Sequence, residues 1–386
     1  MKIAIICPNY PPACSEGGIS HYTQKLSREL VNLGDDVVII TGDRYCGSGA
    51  DGLISICDFK GDWDRQTVKK IVNQLIAQRV DIVNLQYSPV MYSHSFKLFW
   101  PYYSRKLIST ISFHTLWGGS KINYIAALSL LKSTRGVLMT NSEILYLIKK
   151  YLPIFLKKCY FVPIGSNILP SRKKIDNKKL FEKYSLISNV PVISYFGMSY
   201  PGKGMDLLLQ ATRKVVDYYK CDIKLLVIGG GISDSRDYIE VQKRKISALG
   251  IESNVIWTGN IAPDEISGLL KLSSVVVLPF RSGVSDRRGT LLAALSHNKA
   301  VVTAKPALNI AIFKNGENMI WPESYDAESF AKTIIQVIDN NELRQRLETG
   351  SAELAKHFCW SKIAEQTRSY YINLLKSSLN YQYKVH

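Results

Sequence analysis

The sequence predicts an α/β protein made of two doubly wound, parallel-sheet halves. Three observations carry that expectation. The chain has 386 residues, 46% of them apolar, which is enough for two cores and too many for one compact domain. Short apolar runs of strand length alternate with longer segments of helical periodicity. The alternation breaks once, over a basic polar stretch at 169–190, and then restarts.

Ile3–Cys7 is an apolar run followed by Pro8, Pro11 and Pro12, the pattern of a buried parallel strand. After Gly17 and Gly18, Tyr22, Leu26, Leu30 and Leu33 recur at helical spacing until Gly34 stops the helix. Val37–Ile40 completes a strand–helix–strand unit. Further strands are expected at Asp81–Leu85, Leu107–Phe113, Gly136–Thr140 and Tyr160–Val162, with helical stretches between them. Arg172, Lys173, Lys174, Lys178 and Lys179 mark the interval between halves, read as a linker. The second half offers strands at Val192–Phe196, Lys224–Ile228, Asn254–Trp257, Ser274–Leu278 and Ala300–Thr303. Helices are expected around Met205–Thr212, over Gly289–Ser296, and from about Ala327 to the end. The expected division is 1–168, linker 169–190, 191–360 and a final helix 361–386. Two such halves leave a cleft, and ligands of these sheets bind at the carboxyl ends of the strands.

A net charge of +17 draws the chain toward polyanions: nucleic acid, anionic lipid or phosphorylated substrates. There is no zinc-finger spacing, no aromatic–basic ribonucleoprotein motif and no long arginine run, so a nucleic-acid partner is not expected. Seven scattered cysteines without a C-x-x-C pair argue against a disulfide framework or a zinc site and fit a reducing cytosol. The opening apolar run is too short for a signal peptide, and no run reaches the roughly 18 residues of a membrane span. Phe96–Lys106 and Lys149–Lys158 mix aromatic and basic side chains, a composition suited to a bilayer interface. Loose contact with the inner face of a cytoplasmic membrane is therefore expected of an otherwise cytoplasmic protein.

Several motifs stand in order along the chain. Pro11-Pro12…Gly17-Gly18-Ile19 precedes the first helix, and Gly34-Asp35-Asp36-Val37 follows it. Ile111-Ser112-Phe113-His114 is a strand ending in histidine, and Val162-Pro163-Ile164-Gly165 leaves the first half. Tyr195-Phe196-Gly197-Met198 runs into Pro201-Gly202-Lys203-Gly204 before a helix. Leu226–Gly231, Val255–Ile261 and Val275–Phe280 follow, then the loop Arg281–Leu295 and finally Phe358-Cys359-Trp360. This ordered set resembles the GT-B glycosyltransferases of family 4, over nearly the whole chain. It departs from the family at Asp35, where His is usual, at Met198, where a phosphate-binding Arg is usual, and at Ser285 and Ala293, where two Glu residues are usual. It resembles a divergent branch lacking the paired Glu motif.

The resemblance implies two Rossmann-like domains facing across a cleft, with the last helix crossing back to the first domain. It implies a nucleotide-diphosphate sugar donor (UDP or GDP) and a glycan or lipid-diphosphate-linked acceptor, as in bacterial surface polysaccharide synthesis. Transfer with retention, without metal or other cofactor, is implied; no D-x-D motif is placed to hold a metal. Lys203 and His114 are the expected catalytic residues. Donor contacts are expected from Gly17, Gly18, Gly197, Gly229, Gly230, Gly259, Asn260, Arg287, Arg288, Gly289, Thr290 and Leu291. Glu16 and Tyr87 are assigned to the acceptor side. Two phosphates need fixed positive charge, and Arg287 and Arg288, before a helix N-terminus, compensate for the arginine missing at Met198. The alternatives are a non-catalytic partner subunit and a nucleotide-sugar epimerase, although no acid–base pair for the latter is clearly placed.

Overall fold

The computed structural model describes residues 1–12, 17–42, 50–116, 118, 120–220, 223–230 and 236–382. It divides into two units. The first is Met1–Asn167 together with the chain from Cys359 onward, and the second is Ile168–Phe358.

The elements of the first unit are β1 (Lys2–Ile6), α1 (Gly18–Asn32), β2 (Asp36–Gly42), β3 (Ala50–Asp51), β4 (Ile54–Phe59), α2 (Arg65–Ala77), β5 (Ile82–Tyr87), α3 (His94–Tyr103), β6 (Ser109–Phe113), α4 (Lys121–Ser133), β7 (Gly136–Met139), α5 (Ser142–Tyr151) and β8 (Cys159–Phe161). Their sheet runs β3-β4-β2-β1-β5-β6-β7-β8, parallel apart from the short β3–β4 pair. Interior strands are covered on both faces, which is why they read as continuous apolar runs. One layer packs α2, α3, α4 and α5 against residues such as Val83, Leu85, Ile111 and Val137. The other packs α1 against Ile3, Ile5, Val37 and Ile39. Polar caps start the helices: Asp64, Ser93, Ser120 and Asn141 each accept from the main chain of α2, α3, α4 and α5. Gly34, at φ +86°, closes α1 as its sequence position predicts.

The second unit comprises α6 (Asn177–Lys183), β9 (Val192–Phe196), α7 (Met205–Tyr219), β10 (Lys224–Ile228), α8 (Arg236–Leu249), β11 (Val255–Gly259), α9 (Pro263–Leu272), β12 (Val275–Leu278), α10 (Gly289–Ser296), β13 (Val301–Thr303), α11 (Ala327–Asp339) and α12 (Asn341–Ala355). The sheet is parallel with order β11-β10-β9-β12-β13.

A last helix, α13 (Trp360–Gln382), belongs to the first unit and packs on α1. Trp360 Nε1 donates to the Ser166 carbonyl at 2.7 Å, and Tyr370 Oη donates to the Lys158 carbonyl at 2.6 Å. Arg368 Nε meets the fully buried Asp35 carboxylate at 2.9 Å. That contact gives Asp35 a role at the position where the resembling family carries His. Gly165 is also explained here: a Cβ on it would lie 2.5 Å from the Trp360 ring.

Two sequence expectations change. The stretch 169–190 is built into the second unit: Ser171 Oγ and Lys173 Nζ donate to Asp264, Lys183 Nζ meets Glu265, and α6 packs on α9. Its lysines look like a linker because they face water while their partners lie about 80 to 90 residues away. The strands β3 and β4 were not expected; β4 alternates buried Ile54 and Ile56 with less buried neighbours, a period too short-lived to stand out. Among the described residues, no helix is long and apolar enough to cross a membrane.

Candidate active site

The donor-side residues named from sequence in the second unit stand at the carboxyl ends of β9, β10, β11 and β12. Gly197 follows β9, adopts φ +142°, and donates from its amide to the Ile228 carbonyl at 2.9 Å. A Cβ on Gly197 would lie 3.0 Å from Thr290 Cγ2, and one on Gly229 would lie 2.8 Å from the Gly197 carbonyl oxygen. Gly230 is pressed against Asn260, whose Oδ1 would be 2.5 Å from an added Cβ. Gly229 also bridges to Gly259, and its amide donates to Thr258 Oγ1 at 3.1 Å. These glycines let three strand ends and the start of α10 approach one another. Gly231 lies outside the described residues.

Beside this cluster stands a cationic group on an aromatic floor. Lys203 Nζ is 5.0 Å from the Tyr200 ring centroid and 5.3 Å from that of Phe280. The Arg288 guanidinium also lies over Phe280, 4.8 Å from its centroid, and Arg288 Nη2 donates to Ser282 Oγ at 2.7 Å. Burial, then the charges of Arg288 and Arg287, lower the Lys203 pKa to about 8. Among the described residues no carboxylate is paired with Lys203; the nearby Arg281 is drawn instead to Asp206, at 3.6 Å. Gly204 holds Lys203 in place: at φ +76°, any Cβ would overlap the Pro279 carbonyl oxygen.

Arg288 is the N-cap of α10, and Leu292 makes the helix's first backbone bond, to the Arg288 carbonyl at 3.1 Å. The amides of Gly289, Thr290 and Leu291 therefore have no intrahelical acceptor and sit at the positive end of the helix dipole. Leu291 is fully buried, main chain included, whereas Gly289 is exposed. Met198 is half-exposed and apolar, and Ala293 is buried inside α10. Three hydroxyls here, Ser199 Oγ, Ser285 Oγ and Thr290 Oγ1, are shielded and have no hydrogen-bond partner among the described residues. Buried hydroxyls without partners are uncommon in folded proteins.

In the first unit, His114 follows β6 directly. Gln86 donates from its amide to Asn84 Oδ1, Ser112 Oγ donates to the same oxygen at 3.1 Å, and Asn84 Nδ2 donates to Thr110 Oγ1 at 2.9 Å. That orientation leaves Gln86 Oε1 facing His114 Nε2, 2.8 Å away, so Nε2 carries the imidazole proton. The Tyr22 ring meets the imidazole edge-on at 4.7 Å. Burial pushes the His114 pKa down to about 3, so the ring is neutral at neutral pH. Gly17 and Gly18, at the start of α1, are exposed, and an added Cβ at either would meet no protein atom within 4 Å. Glu16 lies outside the described residues. Tyr87 corrects its acceptor assignment: the ring is fully buried against Tyr92 and Phe113, and burial pushes its pKa up to about 12. Alternation along a strand sends it into the core.

A cavity of about 690 Å³ opens on the first unit past the ends of β1, β2, β4 and β5. Pro8, Asn9, Asp62, Trp63, Met91, Tyr92 and Ser93 line it. It falls within the size range of small-molecule sites. These residues come from three separate loops without a shared motif, which is why sequence reading missed them. Tyr200 and Phe280 were missed as well, although aromatic residues flanking a lysine are a readable signal.

Comparisons with known proteins agree with this geometry. Residues 176–353 match the family described as Glycosyl transferases group 1, so the chain carries that domain. An uncharacterized glycosyltransferase of Methanocaldococcus jannaschii is 26% identical over 171 residues, 44% of this chain and 41% of the relative, so the match spans well under two thirds of that protein. The GPI3 subunit of the phosphatidylinositol N-acetylglucosaminyltransferase of Saccharomyces cerevisiae is 22% identical over 400 residues, 98% of this chain and 84% of the relative. The crystal structure of Anabaena HepE in complex with UDP and glucose superimposes with a TM-score of 0.72, at 16% identity, covering 96% of this chain and 99% of that one. The fold is the GT-B fold.

Proposed function

We propose, for a chain that carries a glycosyl transferases group 1 domain in a GT-B fold, that it transfers a sugar from a nucleotide-diphosphate donor to a glycan or lipid-diphosphate-linked acceptor. The observation that carries this reading is Lys203 on its aromatic floor, without a carboxylate partner among the described residues, beside Arg288 and three unpartnered hydroxyls. Such a group wants oxygens bearing negative charge, and a diphosphate supplies them. Of the two bases, UDP has the support of HepE, whose structure holds UDP.

In this reading the C1–O bond of the donor breaks and the diphosphate leaves with the bonding electrons. The acceptor hydroxyl attacks C1 from the same face and passes its proton to an oxygen of the departing diphosphate, so the configuration is retained. The Lys203 ammonium, the Arg288 and Arg287 guanidiniums and the amides at the start of α10 meet the charge gathering on the departing phosphate. This uses side chains and main chain where other enzymes use a metal. Arg288 takes the place of the arginine absent at Met198. The Gly197 and Gly229 amides are held by Ile228 and Thr258, so the nucleotide is met by the close-packed backbone at Gly230, Gly259 and Asn260. Ala293 offers the ribose no side-chain acceptor. The first unit contributes the acceptor pocket at Trp63 and Tyr92, with Gly17, Gly18 and a neutral His114 as hydrogen-bonding groups for sugar hydroxyls. A His114 pKa of about 3 excludes it as a protonated acid at neutral pH. The surroundings would be the cytoplasm and its membrane face, and the product a surface polysaccharide or its lipid-linked precursor.

Isothermal titration of the full chain with UDP, GDP and inorganic phosphate tests the reading. UDP or GDP should bind at least tenfold more tightly than phosphate, and Lys203→Ala should abolish the difference. No binding of either nucleotide refutes it. Binding together with failure to hydrolyse or transfer from any nucleotide sugar favours the non-catalytic partner subunit.

A further inference from the structure

The charge of the first unit is divided along its sequence. Residues 1–81 carry nine Lys or Arg and ten Asp or Glu, whereas residues 82–167 carry ten Lys or Arg and a single acid, Glu143. The fold turns this division of sequence into a division of space. β5, β6, β7 and β8 are consecutive neighbours in the sheet, so residues 82–161 form one lateral half of the unit. Within it Lys97 and Lys158 are turned inward: Lys97 Nζ donates to Asn123 Oδ1 at 2.8 Å, and Lys158 Nζ donates to the Thr134 carbonyl at 2.7 Å. The other eight bases are exposed, among them Arg105, Lys106, Lys121, Lys132, Lys149 and Lys150.

The same half exposes large apolar side chains. Leu98 is 69% exposed and Tyr102 64% on α3; Ile122 is 56% and Ile125 66% on α4. Leu98 and Tyr102 are four residues apart, Ile122 and Ile125 three, so each pair shares a helix face. The Lys97–Asn123 bond ties the two helices together beside Leu98 and Ile122. Both helices also have a buried face, formed by Phe96 and Trp100 on α3 and by Ala127, Leu130 and Leu131 on α4. They are therefore apolar on two sides, which core packing alone does not require.

We propose that the α3–α4 face docks the first unit onto an anionic lipid bilayer, with Leu98, Tyr102, Ile122 and Ile125 entering the headgroup layer and the surrounding bases meeting its charge. A second copy of the chain is disfavoured as occupant, because two such basic faces repel. Nucleic acid would use the bases but leave the isoleucines and Leu98 in water, whereas a bilayer interface accepts both. The inference deepens the proposed function by bringing a lipid-linked acceptor to the unit that holds the candidate acceptor pocket. It is read without any transfer reaction, so it stands or falls separately.

Vesicle flotation of the full chain supplies the test, with phosphatidylcholine alone and with 30 mol% phosphatidylglycerol, in low salt and in 0.5 M salt. Binding should require phosphatidylglycerol and fall steeply in high salt. Each base near such a surface strengthens binding about fivefold, so K121E/K132E should weaken it about 25-fold or more. L98S/I125S should weaken it about tenfold at unchanged charge. K178E/K179E, the same charge change on exposed residues of the second unit, should stay within threefold of the parent. All the substituted side chains are exposed, and circular dichroism checks that each variant is folded. Equal binding to neutral vesicles, or equal losses in K121E/K132E and K178E/K179E, overturns the proposal. So does an unchanged L98S/I125S, which would indicate general attraction to polyanions.

Discussion

Replacing Lys203 by methionine should make the free protein more stable and its nucleotide site weaker. The ammonium is held largely out of water between Tyr200 and Phe280 and beside Arg288, and its pKa is about 8 rather than 10.5. A folded-state pKa below the unfolded one means that folding disfavours the charged form. A shift of 2.5 units corresponds to about 3.4 kcal/mol, and partial solvent access reduces this to about 2 kcal/mol. Methionine keeps the apolar stem on the two rings but loses the cation–π attraction, worth about 1 kcal/mol. The net gain is about 1 kcal/mol, or roughly 2–4 °C in Tm for a unit of this size. The sign with pH follows: the gain is full below pH 8 and disappears between pH 8 and 10.5, as the native lysine sheds its proton in the folded state. Differential scanning fluorimetry at pH 7 and pH 10 reads both, and adding 1 mM UDP should reverse the order at pH 7 because only the parent binds it well. A Lys203→Met protein less stable than its parent at pH 7, or one stabilised equally by UDP, would show that the buried charge neither costs stability nor holds the nucleotide.

Arg288→Ala should weaken UDP binding about tenfold by calorimetry, while Met198→Arg should restore part of that loss if the two positions serve the same phosphates. His114, with its pKa pushed down to about 3 against an unfolded value near 6.5, contributes stability that is present above pH 6.5 and is lost as the pH falls toward 3. At pH 5 the loss is about 2 kcal/mol, and urea denaturation of His114→Gln should show a flatter dependence between pH 7 and 5. Gly204→Ala should destabilise the second unit by roughly 3 kcal/mol or more, since its Cβ would overlap the Pro279 carbonyl oxygen. Gly34→Ala, with a similar φ but open space around it, should lose only about 1 kcal/mol. Trp360→Ala should lower the stability of the first unit by about 3–5 kcal/mol in the same denaturation experiment.

The class of fold was legible from residue order alone, because strands covered on both faces must be apolar throughout and the helices between them must repeat every three or four residues. Ile3–Cys7, Val192–Phe196 and Gly289–Ser296 could be placed from that pattern alone. The positions of Lys203 and of the glycines after the strands were also legible, since each lies a fixed few residues beyond a strand end. What those residues meet depended on tertiary structure. Phe280 lies beneath both Lys203 and Arg288, Gly165 is small because Trp360 returns from the far end of the chain, and Tyr87 turns inward because its strand alternates. The lysine-rich stretch at 169–190 belongs to a folded unit through partners at Asp264 and Glu265 that no local pattern announces. Local chemistry sets what a segment prefers within a few residues. Which distant side chain fills its remaining valence is decided only when the sheets assemble.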